Sequence, residues 1–189
     1  GPTVAAYRKA LDILEERSDV NIQLLAIPGI RHSSVTDYAI TTVEDRFDAM
    51  YLMDIEAQNN LGNIVTGSSD IISVTNTVSS FTSRNLDSSF AAAYFPDVLM
   101  TEVATGQTVV APPSVAVLGA FGLNDQVAYP WFAPAGFNRG SLENVANVDV
   151  RLNSADRDLL YDARLNPIAV FPSGGFVIFG QKTLQVAKS

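Results

Sequence analysis

No cysteine occurs anywhere in this chain of 189 residues. Disulfide frameworks, thiolate metal sites and cysteine nucleophiles are therefore excluded. The redox compartment stays open, because a chain without thiols is indifferent to it. Histidine is almost as scarce: His32 stands alone, so any triad or imidazole-based zinc site has one candidate member. No run of eighteen apolar residues is present, which removes a membrane-spanning helix. Residues 1–20 alternate charged with apolar residues and read as amphipathic, not as the apolar stretch of a secretory leader. Bases are few, with twelve Lys and Arg against twenty Asp and Glu, a net charge of -8. Phosphate neutralisation by Lys and Arg supplies most of the affinity for nucleic acid, and the same charges hold a protein to anionic lipid. Neither nucleic acid nor a membrane surface is expected as a partner.

What is present suffices for a core. Hydrophobic residues make up 47% of the chain and charged residues 17%, values of a globular protein and not of a disordered one. A chain of this length buries roughly 70% of its unfolded surface, so folding needs neither metal nor disulfide. No internal repeat or compositional break divides it, and one domain over residues 1–189 is expected.

Periodicity gives the elements. Val4, Tyr7, Leu11 and Leu14 recur at helical spacing and predict a helix over residues 3–17. Ile22 to Ile27 is a short apolar run stopped by Pro28-Gly29, as in a buried strand. Ser33 or Ser34 caps a helix over residues 34–46, and Ala49 to Ile55 forms the next strand. Strand, helix, strand predicts a parallel pair with a right-handed crossover. Residues 56–69 are polar and glycine-containing, and read as a mobile surface loop. Asp70 is placed as the cap of a helix with Ile71, Val74, Val78 and Phe81 on one face. Phe90 to Tyr94 reads as a strand ended by Pro96. Val98 to Val103 and Gln107 to Ala111 flank Gly106 as a hairpin. Pro113 opens a helix to about Asn124, with Gly119 and Gly122 as points of close packing. Tyr129 to Gly140 is loop, and Asn153 or Ser154 caps a helix over residues 154–163. Pro167 to Phe171 and Phe176 to Thr183 close the chain as a β-hairpin. The fold class is α/β: a mixed β-sheet packed with helices, plus a C-terminal β-hairpin.

The search for chemistry returns little. His32-Ser33-Ser34 places a base beside hydroxyls, but adjacent residues do not supply triad geometry, and helix capping by the serines is the better account. Asp54 and Glu56 stand at a strand end, where acids often meet magnesium or ribose; position alone carries that reading. Asp156 and Asp158 lie two apart on a helix and face different ways. Gly119-Ala120-Phe121-Gly122 and Gly174-Gly175 lack the context of phosphate loops. Trp131, Phe132 and Phe137, with only Arg139 as a base among them, read as packing anchors and not as a stacking platform. No catalytic residue, cofactor-binding residue or metal ligand set is assigned, no cofactor is expected, and the chain reads as a non-enzyme.

The order of several motifs resembles the tail sheath proteins of contractile-tailed bacteriophages. The family's Ala-Pro-Ala-Gly-x-Asn-Arg-Gly loop corresponds to Ala133 to Gly140, its short helix to Ser154 to Ala163, and its Asn-Pro-Ile to Asn166 to Ile168. Its closing hairpin corresponds to Phe176 to Leu184; Tyr94-Phe95-Pro96 and Ala111-Pro112-Pro113-Ser114 are similar to upstream elements. The resemblance covers about residues 20–185 and is most specific over 90–185. Family members continue past the Lys-Thr-Leu element, so it implies the core portion of a longer subunit. It further implies a structural subunit of a contractile tail sheath that polymerises around the inner tail tube and contracts to drive the tube through the host envelope. The implied partners are neighbouring sheath subunits, the tube, and baseplate and tail terminator proteins. The implied location is the virion, after assembly in the host cytoplasm, and this core alone is expected to be monomeric. Two other readings stay open: the sheath of a related contractile injection machine, such as a tailocin or secretion device, and a small α/β enzyme using Asp54, Glu56 and His32.

Overall fold

The computed structural model describes residues 3–16, 24–46, 49–66, 70–121, 127–128, 142–171, 175–178 and 182–186. In chain order the elements are α1 (Val4–Glu16), β1 (Leu24–Ala26), α2 (Ser33–Arg46), β2 (Met50–Met53), α3 (Val74–Ser83) and β3 (Ala91–Phe95). They continue with β4 (Val98–Glu102), β5 (Thr108–Ala111), α4 (Pro113–Phe121), β6 (Val127–Ala128), β7 (Leu142–Val148), α5 (Ser154–Asp162), β8 (Leu165–Phe171) and β9 (Gly175–Ile178). Six strands form one sheet in the order β6-β1-β2-β3-β8-β9. All of its pairs are parallel except β8–β9, the antiparallel C-terminal hairpin. A second, antiparallel sheet has the order β5-β4-β7. The fold is α/β, and the β1–α2–β2 unit is the parallel pair that the sequence pattern predicts.

Side chains alternate across a strand, and the large sheet uses both faces. Leu25, Ile27, Tyr51, Met53, Ala91, Ala93, Phe95 and Leu165 face one core, shared with α1, α2, α3 and α5 through Tyr7, Leu11, Val35, Val43, Val78, Phe81 and Leu160. Leu24, Ala26, Leu52, Ala92, Tyr94 and Ile168 face the other, shared with α4 and the small sheet through Val98, Met100, Ala111 and Val115 to Leu118. Burial on both faces is why these strands read as unbroken apolar runs. Residues 115 to 118 are all buried, as a helix between two sheets requires.

Several local expectations change. Neither serine caps α2. His32 does: its carbonyl accepts the N–H groups of Val35 and Thr36, and its Nδ1 accepts that of Ser34 at 3.1 Å. α3 starts after Ser73, not Asp70. Ile72 pairs with Asn59 and holds the backbone extended, so the helix begins only where the Ser73 side chain accepts the Asn76 N–H. Ile71 is consequently outside the helix and 76% exposed. Residues 56–66 are tied down as well: Asn59 Oδ1 accepts from Leu61 and Asn63, and Gln58 donates to Thr77 and Ser80. Residues 67–69 lie outside the described set. Thr183 is not in a strand; β9 ends at Ile178 and residues 182–186 are irregular. The sequence pattern also did not separate the two sheets.

Other expectations stand. Gly106 turns the β4–β5 hairpin at φ +68, in the left-handed region that favours glycine. Asn153 caps α5 reciprocally with Asp156, a capping box. The 130–140 loop with Trp131, Phe132, Phe137 and Arg139, the packing around Gly119, Gly122, and the turn at residues 172–174 lie outside the described residues. Among the described residues no helix is long and apolar enough to cross a membrane.

Candidate functional site

In a parallel sheet the strand ends that carry carbonyl termini form a shared rim, the usual place for a site. Here the rim is built by the segments leaving β1, β2 and β3. After β1 the chain turns at Gly29, with φ +79, and presents Arg31. After β2 comes Asp54, only 1% exposed. After β3 a cis Phe95–Pro96 bond leads to Asp97. α4 points its N-terminus at the same place. Pro113 has no N–H, so Ser114 carries the helix's first available donor.

Asp54 takes that donor. Its Oδ1 accepts the Ser114 N–H at 2.9 Å; its Oδ2 accepts the Ser114 hydroxyl at 2.8 Å and the Gly29 N–H at 3.1 Å. Burial pushes the Asp54 carboxyl above the ordinary range, opposed by the Arg31 charge and by these three hydrogen bonds. Arg31 makes a two-pronged pair with Asp97, 2.8 Å on each prong, and donates to the Ile55 carbonyl at 3.0 Å. Burial alone would lower the Arg31 pKa, but Asp97, then Asp54 and Asp149, more than offset it and hold it raised. Asp149 follows β7 and donates its N–H to the Asp97 carbonyl at 2.8 Å, which joins the small sheet to the rim. Burial and the nearby Asp97 charge push the Asp149 carboxyl up. A cleft of about 310 Å³ opens beside the ion pair, walled by Arg31, Asp97, Asp149, Phe95 and Ile72.

This arrangement does structural work. The Asp54 carboxylate is spent on three protein donors and has no exposed face, so a magnesium or ribose role would need a side chain it does not present. Glu56 is half-buried and outside the Asp54 hydrogen-bond set. His32 is exposed, and Ser34 Oγ lies 2.6 Å from its Nδ1. That nitrogen already accepts the Ser34 N–H, so the pair closes a helix cap and makes no bond to Asp54. Asp156 belongs to the α5 cap and Asp158 is exposed. No group of three metal-ligating side chains occurs among the described residues. Arg31, Asp97 and Asp149 were not singled out by the sequence, and Ser114 entered only as part of the Ala111 to Ser114 motif; the signal available was a charged or hydroxyl residue just after each strand-to-loop transition.

A second cluster joins two of the motifs that carry the resemblance. Asn166 is fully buried within β8. Its Nδ2 donates to the Ala93 carbonyl at 3.1 Å and to the Lys182 carbonyl at 2.9 Å, and its Oδ1 accepts the Lys182 N–H at 2.8 Å. Leu184 then donates its N–H to Ala91 at 2.9 Å and buries its side chain in the core. The Asn-Pro-Ile and Lys-Thr-Leu elements are thus two halves of one fastening across β3.

The chain matches the family model of the phage tail sheath protein central domain over residues 2–184. It belongs to the phage tail sheath family. It is 25% identical over 190 aligned positions to the tail sheath protein of Enterobacteria phage T4, covering 96% of this chain and 29% of that one. It is 45% identical over 67 residues to the tail sheath protein of Vibrio phage KVP40, covering 35% of this chain and 10% of the relative. The chain therefore spans under a third of the length of either sheath relative. Among solved structures, the anti-feeding prophage helical sheath in its contracted state shares the fold, with a TM-score of 0.57 at 20% identity over the whole of this chain and 46% of that one.

Proposed function

We propose that this chain is the central body of a contractile tail sheath subunit. The single observation that carries the reading is the match to the sheath central domain across nearly all of the sequence. The full subunit stacks with its own copies around an inner tail tube, meets the baseplate at one end and a terminator protein at the other, and contracts to push the tube through a host envelope. It is a virion component assembled in the host cytoplasm. Residues 1–189 act as one domain and, alone, stay monomeric.

The physics of the fold supports this role. A lattice that changes its neighbour contacts needs subunits that do not deform when it does so. The Asp54 clasp ties the segments leaving β1 and β2 to α4, the Arg31–Asp97 pair spans 66 residues, and Asn166 fastens the C-terminal segment to β3. These are polar bonds invested in rigidity. We assign no catalytic, cofactor or metal site to the chain; a thermal-shift screen in which a nucleotide or divalent cation clearly raises the melting temperature would overturn that assignment.

The decisive experiment is electron microscopy of the purified full-length subunit, with and without tube protein. Hollow, helically striated tubes are expected. A dispersed subunit under every condition that assembles a T4-type sheath would sink the reading. The named curated relatives are phage proteins, which favours a phage sheath over a sheath of a related injection machine; capsid and terminase genes beside the coding sequence would bear this out.

A further inference from the structure

Two exposed apolar features lie at opposite ends of α3. Ahead of its N-terminus, Leu61, Ile64 and Ile71 are 84%, 49% and 76% exposed. The segment bearing them is held by the Gln58–Ile64 and Asn59–Ile72 bridges, so their exposure is not a product of looseness. Three exposed aliphatic side chains on a pinned stretch of chain are surface that a contact would cover. At the other end, α3 and α5 enclose a cavity of about 260 Å³ walled by Phe81, Leu86, Leu159 and Ala163.

Arg164 lines that cavity and is unusual in three ways. Its φ is +63, a left-handed conformation that a bulky residue adopts only at a cost. Its Nε is buried with no hydrogen-bond partner, and its guanidinium reaches only the Leu86 carbonyl, at 3.4 Å, among the described residues. No described carboxylate pairs with it. The opposite feature carries the complementary charge: residues 56–72 contain Glu56 and Asp70 and no Lys or Arg.

We infer that Asp70-Ile71 of one copy docks into the α3–α5 cavity of a second copy, with Ile71 against Phe81 and Leu159 and the Asp70 carboxylate against the Arg164 guanidinium. The inference rests on the sheath reading and names one of its subunit contacts. The two surfaces are separated by a helix of ten residues, roughly 15 Å at 1.5 Å per residue, so they cannot mate within one chain. A contact between unlike surfaces at opposite ends repeats head to tail, and such contacts build open helical arrays when the rotation does not close. Asp162, which also lines the cavity, is the like charge that Asp70 meets there.

The test uses the full-length subunit and its critical concentration for tube assembly. Ile71→Asp is expected to raise that concentration about tenfold or more, from the lost burial of one aliphatic side chain. Ile71 is solvent-exposed, so the variant should melt like the parent. Asp70→Arg and Arg164→Asp should each weaken assembly, and the double variant should recover it; Asp is tolerated at positive φ, so folding is retained. Asp162→Asn should strengthen it. Ile71→Cys with Asp162→Cys should give an oxidised ladder of linked subunits in assembled tubes, because a disulfide requires Cα atoms within about 7 Å. Tubes that form at the parent concentration in all variants, with no ladder, would overturn the contact and leave the sheath reading intact. Variants that destabilise the unassembled subunit, with unchanged assembly, would show the patch covered by the subunit's own flanking segments and overturn it too. A parent that forms no tubes would sink the sheath reading, and the contact with it.

Discussion

Asp54 and Ser114, sixty residues apart, share two hydrogen bonds, one from the Ser114 backbone at 2.9 Å and one from its hydroxyl at 2.8 Å. The N-terminus of α4 is therefore capped by the end of β2. A local cap would fix only the helix; this one fixes the helix to the sheet. It sets how the second core closes over Leu52 and Tyr94, because Val115 to Leu118 follow directly from the capped turn.

Replacing Asp54 by Ala leaves two backbone donors and a hydroxyl facing an apolar hole. A loss of about 3 kcal/mol is expected, from the cost of orphaned buried donors. Ser114→Ala removes only the hydroxyl bond and should cost about 1 kcal/mol. The double variant should be little worse than Asp54→Ala alone, since both act on one set of bonds. Urea denaturation of the three variants measures this. Fully additive losses would show that the two residues act separately.

The same carboxyl predicts a pH dependence with a definite sign. Burial raises the Asp54 pKa in the folded chain above its unfolded value. The native state therefore binds this proton more readily than the unfolded state does, and protonation favours folding. That contribution is complete below the unfolded carboxylate value, about 4, and is lost as pH rises through the higher folded value. Asp54→Asn is expected to be less stable throughout but to lack this component. Melting temperatures taken upward from pH 4 should fall more, or rise less, in the parent than in the variant. Parallel curves would contradict the assigned direction.

Arg31 and Asp97 test geometry against charge. Their side chains are 25% and 21% exposed, so solvent screens the pair and its worth is well below that of a sealed one. Arg31→Lys keeps the charge but loses the two-pronged fork and the bond to the Ile55 carbonyl. About 1 kcal/mol of destabilisation is expected for Lys and about 2 kcal/mol for Ala, read by thermal denaturation. A Lys variant as stable as the parent would show that charge alone suffices.

Much of this architecture is visible in the sequence where the signal is local. Leu24 to Ala26 and Met50 to Met53 sit in apolar runs bounded by loop residues, and they do pair in parallel. Gly106 marks its hairpin, and Asn153 its helix. Where two local signals compete, the distant contact decides. Asp70 and Ser73 are both competent caps, and the pairing of Ile72 with Asn59 selects Ser73. The rim cluster could not be read at all. Gly29 and Asp54 meet across 25 residues and Arg31 and Asp97 across 66, so the cluster exists only once strand order is set. Asp54 was visible as an acid at a strand end. Its role as a cap was not, because its partner Ser114 belongs to a helix far along the chain.

Arg164 offers the clearest separation of stability from assembly. It follows α5 with φ +63 and gains one long hydrogen bond for a partly buried guanidinium. Asn accepts this conformation far more readily and is a frequent residue just past helix ends. Arg164→Asn is expected to stabilise the isolated chain by about 1 kcal/mol, a rise in melting temperature of roughly 2–4 °C for a domain of this size. The same change removes the cation proposed to meet Asp70, so tube assembly by the full subunit should weaken while each subunit becomes harder to unfold. Opposite movement of the two readouts is the signature of a strained residue kept for contact. A drop in both would mean that Arg164 holds the α3 and α5 ends together inside its own subunit.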